Sequence, residues 1–294
     1  MTAELLVRVA GRDVAVSSLD RVLFPATGTT KAEVIDYYVR VADALLPHLR
    51  GRPATLHRFP EGVGGPHFFQ TRVPPHPPWL RTARMAFERT GKVFESPVLD
   101  DLPALVWAAN LATIELHPFL GLATAQERPL VVVFDLDPGE PAGLAEACAV
   151  ALRVRERLAA DGLASWPKTS GSKGVHVYAP VSGATYGGTK AYARRVAAAL
   201  TRETPGLVVD RMARALRPGK VLVDWSQNDR GKSTVAPYSL RALRAPTVSA
   251  PVTWAEVERG RDLFFGPADV PARLDRYGDL FAPVLTTEQR LPDS

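Results

Sequence analysis

The alternation of hydrophobic and polar residues predicts a chain that mixes strands and helices without a repeat. Near the N-terminus, Leu5–Val16 alternates in part and indicates a short strand. Apolar residues at helical spacing then predict a helix over Lys31–Leu49, with Thr30 as its N-cap and Glu33 as the partner in a capping box. Residues 51–80 are rich in Pro and Gly, the residues that mark turns and loops.

Between residues 131 and 224 the predicted strands and helices alternate. Val131–Asp137 (VVVFDLD) is an unbroken apolar run ending at Pro138-Gly139, which is typical of a buried strand. The other predicted segments are helices over Ala104–Ile114, Pro141–Ala160 and Thr189–Leu200, strands over Val175–Tyr178 and Val221–Asp224, and a turn-rich, mostly helical cover over 246–294. Because the N-terminal third does not follow the alternation, we expect a mixed α/β body with more than one sheet.

The bulk composition narrows the class of protein. With 294 residues and 46% hydrophobic content, the chain can build one large domain or two small ones. No apolar run approaches the roughly 18 residues of a membrane span, and charges near the N-terminus replace the apolar stretch of a signal peptide. We therefore expect a cytoplasmic protein with no membrane partner. The single cysteine, Cys148, excludes an internal disulfide and a cysteine-rich zinc site.

The charge balance favours a polyanionic partner. The net charge is +5, and only 7 of the 36 basic residues are lysine. A lysine offers a compact charge that suits a single phosphate. Five lysines fall in the segments that could carry chemistry, namely Lys31, Lys168, Lys173, Lys220 and Lys232. Chance placement among so few residues is the alternative.

Two carboxylates on the strand 131–137 point to a bound cation. Side chains alternate along a strand, so Asp135 and Asp137 share a face, with Cα atoms about 6.6 Å apart. Two acids this close at the end of an apolar strand repel each other and are costly to desolvate. Asp224 ends another short apolar strand, and three carboxylates could hold two Mg²⁺ or Mn²⁺ ions bridged by a triphosphate. Taken alone, Asp224 is more often a surface or turn residue.

Other segments carry weaker signals. The Gly/Ser/Lys loop 170–174 could let backbone N–H groups approach a phosphate, although a plain turn explains it equally well. His117 is a lone histidine after an apolar stretch. Phe68 and Phe69 are adjacent among Gly and Pro, so one of them could be exposed and stack on a base. For at least one of the two rings we expect core packing. The basic loops 217–220 and 228–232 flank Asp224 and could equally be solvated turns.

The order of these segments resembles the polymerase domain of bacterial ligase D, a member of the archaeo-eukaryotic primase superfamily that serves in non-homologous end joining. The matching segments are VFDLDPG (133–139), TSGSKGVH (169–176), VDWSQN (223–228), APYSLR (236–241), LFPATGTTK (23–31) and GPHFFQ (65–70). The resemblance covers roughly residues 12–285. It departs at Arg21, where the family commonly has lysine, so the positive charge is kept.

The resemblance implies a role for each candidate residue. Metal ions would be bound by Asp135, Asp137 and Asp224, and Asp224 would also help to activate the primer 3′-hydroxyl. The incoming nucleotide would be contacted by His117, Ser170, Lys173, Gln227 and Arg241. On the DNA, Arg21 and Lys31 would hold the 5′-phosphate of the downstream strand. Template bases would stack on Phe68 and Phe69, and a mobile loop with Arg217 and Lys220 would bring two ends together.

The resemblance also implies the fold and the partners. We expect a single primase-polymerase domain over 1–294, in which two mixed or antiparallel sheets flanked by helices surround a central active-site cleft. Its subregions are an N-terminal part of about 1–125, a catalytic part of about 126–245 and a C-terminal cover of 246–294. The expected enzyme is a template-dependent nucleotidyltransferase of the EC 2.7.7 type. It would use Mn²⁺ or Mg²⁺, prefer ribonucleotides over deoxynucleotides and act at the bacterial nucleoid.

The expected partners are DNA ends and gapped DNA with a 5′-phosphate, and Ku and a separate ATP-dependent DNA ligase are further candidates. The chain would be either a stand-alone polymerase or a part of a longer ligase.

Two other functions compete with this hypothesis. An apolar run followed by Asp-x-Asp is also the first motif of haloacid-dehalogenase phosphatases, in which Asp135 would be the nucleophile and Asp137 the general acid. However, Pro138-Gly139 replaces the usual Gly-Thr or Gly-Val, and about 130 residues precede the motif instead of few. A non-catalytic protein that binds DNA ends is the second alternative, and the intact set of three carboxylates argues against it.

Overall fold

A computed structural model describes residues 4–86 and 91–292. The strands are, in chain order, β1 (Glu4–Val9), β2 (Arg12–Ser17), β3 (Val22–Phe24), β4 (Thr29–Thr30), β5 (Ala54–Arg58), β6 (Phe68–Gln70), β7 (Thr82–Ala86), β8 (Val93–Pro97), β9 (Thr113–Pro118), β10 (Val131–Pro138), β11 (Trp166–Thr169), β12 (Val175–Pro180), β13 (Val208–Val209), β14 (Val221–Asp224), β15 (Leu240–Ala242) and β16 (Pro246–Val248). The α-helices are α1 (Lys31–Arg40), α2 (Ala42–Leu49), α3 (Leu102–Asn110), α4 (Leu144–Ala160), α5 (Tyr186–Glu203), α6 (Trp254–Arg259), α7 (Asp269–Tyr277) and α8 (Pro283–Thr286). Single 3₁₀ turns lie at Arg214–Leu216 and Trp225–Gln227.

The chain divides into two compact units. Unit 1 comprises residues 1–119, 233–249 and 265–278, and unit 2 comprises residues 120–232, 250–264 and 279–294. The mixed α/β class is confirmed. The single domain over 1–294 and its subregion boundaries stay a prediction, whose ends at residues 1–3 and 293–294 lie outside the described residues.

Unit 1 contains a three-stranded antiparallel sheet in the order β6-β5-β9, together with the two-stranded pairs β1-β2, β3-β4, β7-β8 and β15-β16. In the larger sheet, His57 lies opposite Phe69 on one side and Glu115 on the other. The side-chain hydroxyls of Tyr37 and Tyr38, buried on α1, donate to the carbonyls of Tyr238 and Ile114, which joins that helix to β9 and to the segment before β15.

Unit 2 contains a five-stranded sheet in the order β11-β12-β10-β14-β13. All pairs are antiparallel except β13-β14. The central strand β10 buries Val131–Phe134 completely, and α4 packs against β10 and β12. Leu120, Val133, Tyr178 and Phe281 form part of its core. Because β10 lies in the middle of the sheet, Asp135 has a paired strand on either side, whereas Asp137 pairs with β14 only.

Several boundaries differ from the sequence-based predictions for local reasons. The strand predicted over Leu5–Val16 is a hairpin, because Ala10 and Gly11 both have positive φ (44° and 83°), as a tight two-residue turn requires. The helix predicted to reach Ile114 ends at Asn110, since Ala112 adopts φ 57° and the chain turns into β9. The helix predicted from Pro141 begins at Leu144, where the N–H of Gly143 donates to Glu146.

The helix predicted over Lys31–Leu49 is two helices. Val41 (φ −100°, ψ 4°) separates α1 from α2, yet its N–H still donates to Tyr37 and its carbonyl still accepts from Leu45. Hydrogen bonding and apolar spacing continue through the break, so the pattern does not reveal it. The capping box of Thr30 and Glu33 is confirmed.

Other segments depart less from the predictions. Residues 51–80 include β5 and β6, and the segment 246–294 includes β16 beside its three helices. The predicted helix Thr189–Leu200 extends to Tyr186–Glu203, and the strand Val221–Asp224 is confirmed as predicted. Among the described residues, no helix combines the length and apolarity that crossing a membrane requires.

Candidate metal and nucleotide-binding site

Four polar side chains form a row across the sheet of unit 2. Asp135 lies opposite His176 of β12 on one side and opposite Asp224 of β14 on the other, and Lys168 of β11 lies opposite His176. Residues that lie opposite each other on neighbouring strands point to the same face. Nε2 of His176 is 3.2 Å from Oδ1 of Asp135, and Nζ of Lys168 is 3.0 Å from Nδ1 of His176. The row therefore connects a buried lysine to the carboxylates through an imidazole.

Asp137 completes a carboxylate trio with Asp135 and Asp224. It lies two residues beyond Asp135 on β10, on the same face, and pairs with Leu222 of β14. Burial raises the pKa of Asp137, and the charge of Asp135 raises it further. The Arg217 guanidinium, whose Nη1 is 3.6 Å from Oδ2 of Asp137, acts in the opposite direction. The trio thus concentrates negative charge that its protein neighbours offset only in part.

The turn after β14 fixes the orientation of Asp224. Its Oδ1 accepts from the backbone N–H and the hydroxyl of Ser226 (2.9 and 2.6 Å), and its Oδ2 accepts from Nε2 of Gln227 (3.0 Å). Asn228 is fully buried and exchanges two hydrogen bonds with the backbone of Val133, continuing the ladder beyond the end of β14. The motif 223–228 is therefore one structural unit that holds the third carboxylate.

The donor set of the trio fits Mg²⁺ or Mn²⁺. All three side chains offer oxygen atoms, the ligands that these hard cations prefer. Residues that lie opposite each other in an antiparallel pair have Cα atoms roughly 4.5–5.5 Å apart, so Asp135 and Asp224 can share an ion. A divalent cation there would offset the repulsion that raises the pKa of Asp137.

The loop 170–174 is a tight turn anchored at the end of β10. The Ser170 hydroxyl accepts from the N–H groups of Ser172 and Gly174 (3.2 and 3.1 Å). A Cβ on Gly174 would lie 2.6 Å from the carbonyl oxygen of Leu136, so only glycine allows this approach. Lys173 projects from the turn and pairs with Glu140 at 3.4 Å. The loop, which connects β11 to β12, therefore lies beside the end of β10, the strand that carries Asp135 and Asp137.

The basic segment 211–220 lies next to the trio, beside Asp137. Gly139 and Lys220 are joined by a backbone hydrogen bond, and a Cβ on Gly139 would lie 2.4 Å from the Arg217 carbonyl oxygen. Arg217 donates to the Met212 carbonyl as well as facing Asp137. Nζ of Lys220 donates to the Pro205 carbonyl. Arg217 is thus placed beside the carboxylates, whereas Lys220 is tied to the start of β13.

Unit 1 has its own polar cluster, centred on Glu115 of β9. Oε2 of Glu115 is 3.2 Å from Nδ1 of His57 and 2.8 Å from Nε2 of His117, and Oε1 accepts from Nε of Arg241 and the N–H of Ala242. Burial alone would raise the pKa of Glu115, but the hydrogen bonds from both histidines and the charge of Arg241 hold it well below its usual range. Burial lowers the pKa of His117. We call these four side chains, His57, Glu115, His117 and Arg241, the Glu115 cluster.

The two phenylalanines of β6 are both exposed, 45% for Phe68 and 60% for Phe69. Phe69 stacks on the His57 ring at 3.9 Å between centroids, and the Arg58 guanidinium lies 5.4 Å from the Phe68 ring. We expected core packing for at least one of them. Neither is buried, because both belong to a three-residue edge strand.

Arg21 and Lys31 lie close together at the β3-β4 pair. A backbone hydrogen bond joins the Lys31 N–H to the Arg21 carbonyl at 2.8 Å. Burial lowers the pKa of Lys31, and the nearby Arg21 charge adds to the effect. Lys31 is only 4% exposed and donates to the Asn110 carbonyl, whereas Arg21 is exposed and donates to the Pro60 carbonyl. Of the two cations, Arg21 is the more accessible.

Comparisons with known proteins find one family over most of the chain. Residues 30–281 match the family model "LigD, primase-polymerase domain". The chain is 42% identical over 300 residues to the multifunctional non-homologous end joining DNA repair protein LigD of Mycobacterium tuberculosis, covering 96% of this chain and 39% of that protein. For LigD of Mycolicibacterium smegmatis the identity is 41% over 275 residues, covering 92% and 36%.

The chain belongs to the LigD primase-polymerase family. Its fold matches the polymerase domain of Mycobacterium tuberculosis ligase D, solved in complex with DNA, with a TM-score of 0.87 and 41% identity over 93% of this chain and 98% of that one. The resemblance and the fold class predicted from the sequence are thereby confirmed. The chain spans less than two-fifths of the length of the mycobacterial LigD proteins.

Family membership argues against a haloacid-dehalogenase phosphatase, whose motif the strand 131–137 shares. The predicted site residues fall into two groups: unit 2 holds Asp135, Asp137, Ser170, Lys173, Arg217, Lys220, Asp224 and Gln227, and unit 1 holds Arg21, Lys31, Phe68, Phe69, His117 and Arg241. Their individual roles in the LigD polymerase family stay predictions for this chain.

Four residues that the structure places in these clusters had no role predicted from the sequence: His176, Lys168, Glu115 and His57. A signal existed for two of them. His176 lies in the TSGSKGVH segment, and Glu115 stands two residues from His117, the spacing that puts both side chains on one face of a strand. Lys168 has no signal beyond its place among the five lysines of the candidate segments, and His57 has none, because only strand pairing brings these two residues to their partners.

Proposed function

We propose that this chain is a template-dependent nucleotidyltransferase that adds nucleotides to primer 3′ ends during bacterial non-homologous end joining. The observation that carries the proposal is the strand register that sets Asp224 directly opposite Asp135, with Asp137 on the same face. The relatives' names place them in end joining and DNA repair, and the matching ligase D polymerase domain is bound to DNA.

The carboxylate trio would hold two Mn²⁺ or Mg²⁺ ions. When bound, such ions supply charge stabilisation at the reacting phosphate and lower the pKa of an attacking hydroxyl. The protein's part is to present the three carboxylates in a fixed geometry. Ser226 and Gln227 orient Asp224, and His176 holds Asp135 from the opposite side.

The remaining residues of unit 2 fit an incoming nucleoside triphosphate. Lys173 projects from the turn between β11 and β12, which lies beside the end of β10, and Arg217 stands beside Asp137. Both cations are close enough to lower the pKa of Asp137, so both are placed near the trio. Ser170 shapes the turn through its hydroxyl. Gln227 would act on the nucleotide indirectly, through Asp224. His117 and Arg241 of unit 1 are proposed as further nucleotide contacts.

Sequence-independent contacts would bind the DNA. The exposed rings of Phe68 and Phe69 can stack on template bases, and the net charge of +5 favours the phosphate backbone. Arg21 and Lys31 would hold the 5′-phosphate at a gap, and the segment with Arg217 and Lys220 would help to align two ends. Ribonucleotide preference, association with Ku and a separate ligase, and action at the bacterial nucleoid belong to the same proposal.

Primer extension on a gapped DNA with a 5′-phosphate tests the function. We expect Mn²⁺- or Mg²⁺-dependent addition, faster with ribonucleotides than with deoxynucleotides. Asp135→Ala and Asp224→Ala should each reduce extension at least about 100-fold, because truncating either carboxylate dismantles the metal site. DNA binding should be retained.

The matched control is Asp36→Ala, which removes an exposed carboxylate from α1. It should extend primers at the rate of the unaltered chain. Normal extension by both site variants would overturn the assignment of the trio. DNA binding without any extension by the unaltered chain would favour the non-catalytic end-binding alternative.

A further inference from the structure

The Glu115 cluster has the geometry of a metal-ligand set. Glu115 and His117 alternate on β9 and share a face, and His57 lies opposite Glu115 on β5. Each of these three residues offers one ligand atom, a carboxylate oxygen or a ring nitrogen, and the three atoms all lie within 4.8 Å of one another. Zn–N and Zn–O bonds of about 2.0–2.2 Å place neighbouring ligand atoms of a tetrahedral site about 3.3 Å apart. The Glu115–histidine distances of 2.8 and 3.2 Å are close to that edge.

Outer hydrogen bonds hold these ligand atoms in orientation. Nε2 of His57 lies 2.9 Å from Nδ1 of His67, so His57 can donate its second ring N–H and keep Nδ1 for a metal. The Oε1 of Glu115 is occupied by Arg241 and the Ala242 N–H, which leaves Oε2 as the ligand atom. Metal-binding histidines and carboxylates typically have such second partners, which fix the tautomer and the orientation.

The donor types point to a different cation from that of the carboxylate trio. Two imidazoles and one carboxylate are the protein ligands of zinc sites that keep a fourth position open. Mg²⁺ and Mn²⁺ instead favour sets of oxygen atoms, such as Asp135, Asp137 and Asp224. The side chains of His57, Glu115 and His117 are only 9%, 6% and 13% exposed, so a bound ion would be sheltered from solvent.

We propose that His57, Glu115 and His117 form a binding site for one zinc-type transition-metal ion within unit 1, separate from the carboxylate trio. The ion would replace the hydrogen bonds from the two histidines to Oε2 and would leave one coordination position for water or a ligand. It would occupy Nε2 of His117, one of the proposed nucleotide contacts. The site shares His117 with the proposed nucleotide contacts, but it shares no residue with the carboxylate trio and its metal chemistry is different.

Metal binding to the full chain, stripped of metals with a chelator, tests the site. Co²⁺ is the probe, since four-coordinate Co²⁺ ions absorb visible light strongly and Zn²⁺ displaces them. We expect one equivalent of Co²⁺ with intense visible bands, which one equivalent of Zn²⁺ removes. His57→Asn and His117→Asn should each weaken binding at least about 100-fold, and His67→Ala should weaken it about 10-fold by removing the outer partner.

Two controls separate this site from other histidines and from the trio. His76→Asn alters an exposed histidine outside the cluster and should bind Co²⁺ like the unaltered chain. The double variant Asp135→Asn/Asp137→Asn should keep the intense visible bands and the one equivalent of Co²⁺ that produces them, since Co²⁺ on the oxygen ligands of the trio would be six-coordinate and absorb weakly. Melting curves of each variant show that it is folded, and if one histidine variant fails to fold, the other and His67→Ala decide.

Three results would overturn the proposal. The first is a weak Co²⁺ spectrum of the six-coordinate type alone. The second is Co²⁺ binding that is unaffected in both His57→Asn and His117→Asn. The third is loss of the intense bands in the Asp135→Asn/Asp137→Asn variant. Each would mean that the cluster is hydrogen-bonded only and that any metal binds elsewhere. Because the readout is metal binding and not primer extension, its failure is distinguishable from failure of the proposed polymerase function.

Discussion

At the scale of single residues, Glu115 shows how much one buried carboxylate can organise. Its two carboxylate oxygens form hydrogen bonds with two histidines, a guanidinium and a backbone N–H. The full set of partners offsets the cost of burying the charge, so the pKa of Glu115 lies well below its usual range even though burial alone would raise it. A neutral side chain of the same shape cannot accept from all four donors.

We predict that Glu115→Gln destabilises the fold by roughly 2–4 kcal/mol, because it leaves the half-buried Arg241 guanidinium without its counter-charge. The folded-state pKa of Glu115 is lowered, so its contribution is present above the ordinary pKa of 4.5 and declines as the pH falls below that value. The variant should therefore lose less stability than the unaltered chain between neutral pH and pH below 4.5.

Denaturant unfolding at several pH values measures both effects. The control is Glu140→Gln, whose carboxylate is exposed and whose loss should change stability by no more than about 0.5 kcal/mol. Equal stability of the Glu115→Gln variant and the unaltered chain at neutral pH would contradict the role given to this carboxylate.

At the scale of elements, the end of β10 determines where the site is. Three segments meet there: β14 with Asp224, the loop 170–174, and the backbone around Lys220. Two glycines make this possible, since a Cβ at Gly139 or Gly174 would collide with a backbone carbonyl. The site therefore depends on close contacts between backbone segments as much as on side chains.

We predict that Gly174→Ala costs about 1–3 kcal/mol of stability, because its Cβ would lie 2.6 Å from the Leu136 carbonyl oxygen and the loop must shift. The same shift moves Lys173 relative to the trio, so the KM for nucleotide in primer extension should rise. Thermal unfolding and extension kinetics measure these effects.

Gly206→Ala is the matched control. It lies in the same unit, and a Cβ there meets nothing within 4 Å, so its Tm and KM should match those of the unaltered chain. A Gly174→Ala protein with unchanged Tm and KM would show that the loop tolerates the displacement.

At the scale of the whole molecule, net charge and the exposure of basic side chains are expected to determine how the chain binds DNA. The net charge of +5 supports contacts that do not depend on DNA sequence. These contacts weaken as the salt concentration rises, because the counterions released from the DNA on binding then gain less entropy. Within unit 1, Arg21 is exposed while Lys31 is nearly enclosed. The exposed member of the pair is therefore expected to make the stronger phosphate contact.

We predict that Arg21→Gln weakens binding to gapped DNA carrying a 5′-phosphate about 3- to 10-fold and lowers the salt dependence by about one phosphate contact. Binding to the same gap without the phosphate should change little. Arg50→Gln, which removes another exposed arginine of unit 1, is the control and should not distinguish the two DNAs. An equal loss of binding to both DNAs would mean that Arg21 contacts the DNA backbone in general and not the 5′-phosphate.

The sequence by itself determined the features that depend on neighbours along the chain. Alternation placed Asp135 and Asp137 on one face, apolar runs located the main strands of unit 2, and the motifs indicated the family. These are local or repeated signals, which the chemistry of one segment is enough to produce.

Only the tertiary structure decided which distant residues meet. Asp224 faces Asp135 and His57 faces Glu115 because strands far apart in the chain pair in one register. A shift of that register by one residue would turn each of these side chains to the opposite face. The packing of the whole sheet selects the register, so no segment read alone could reveal it.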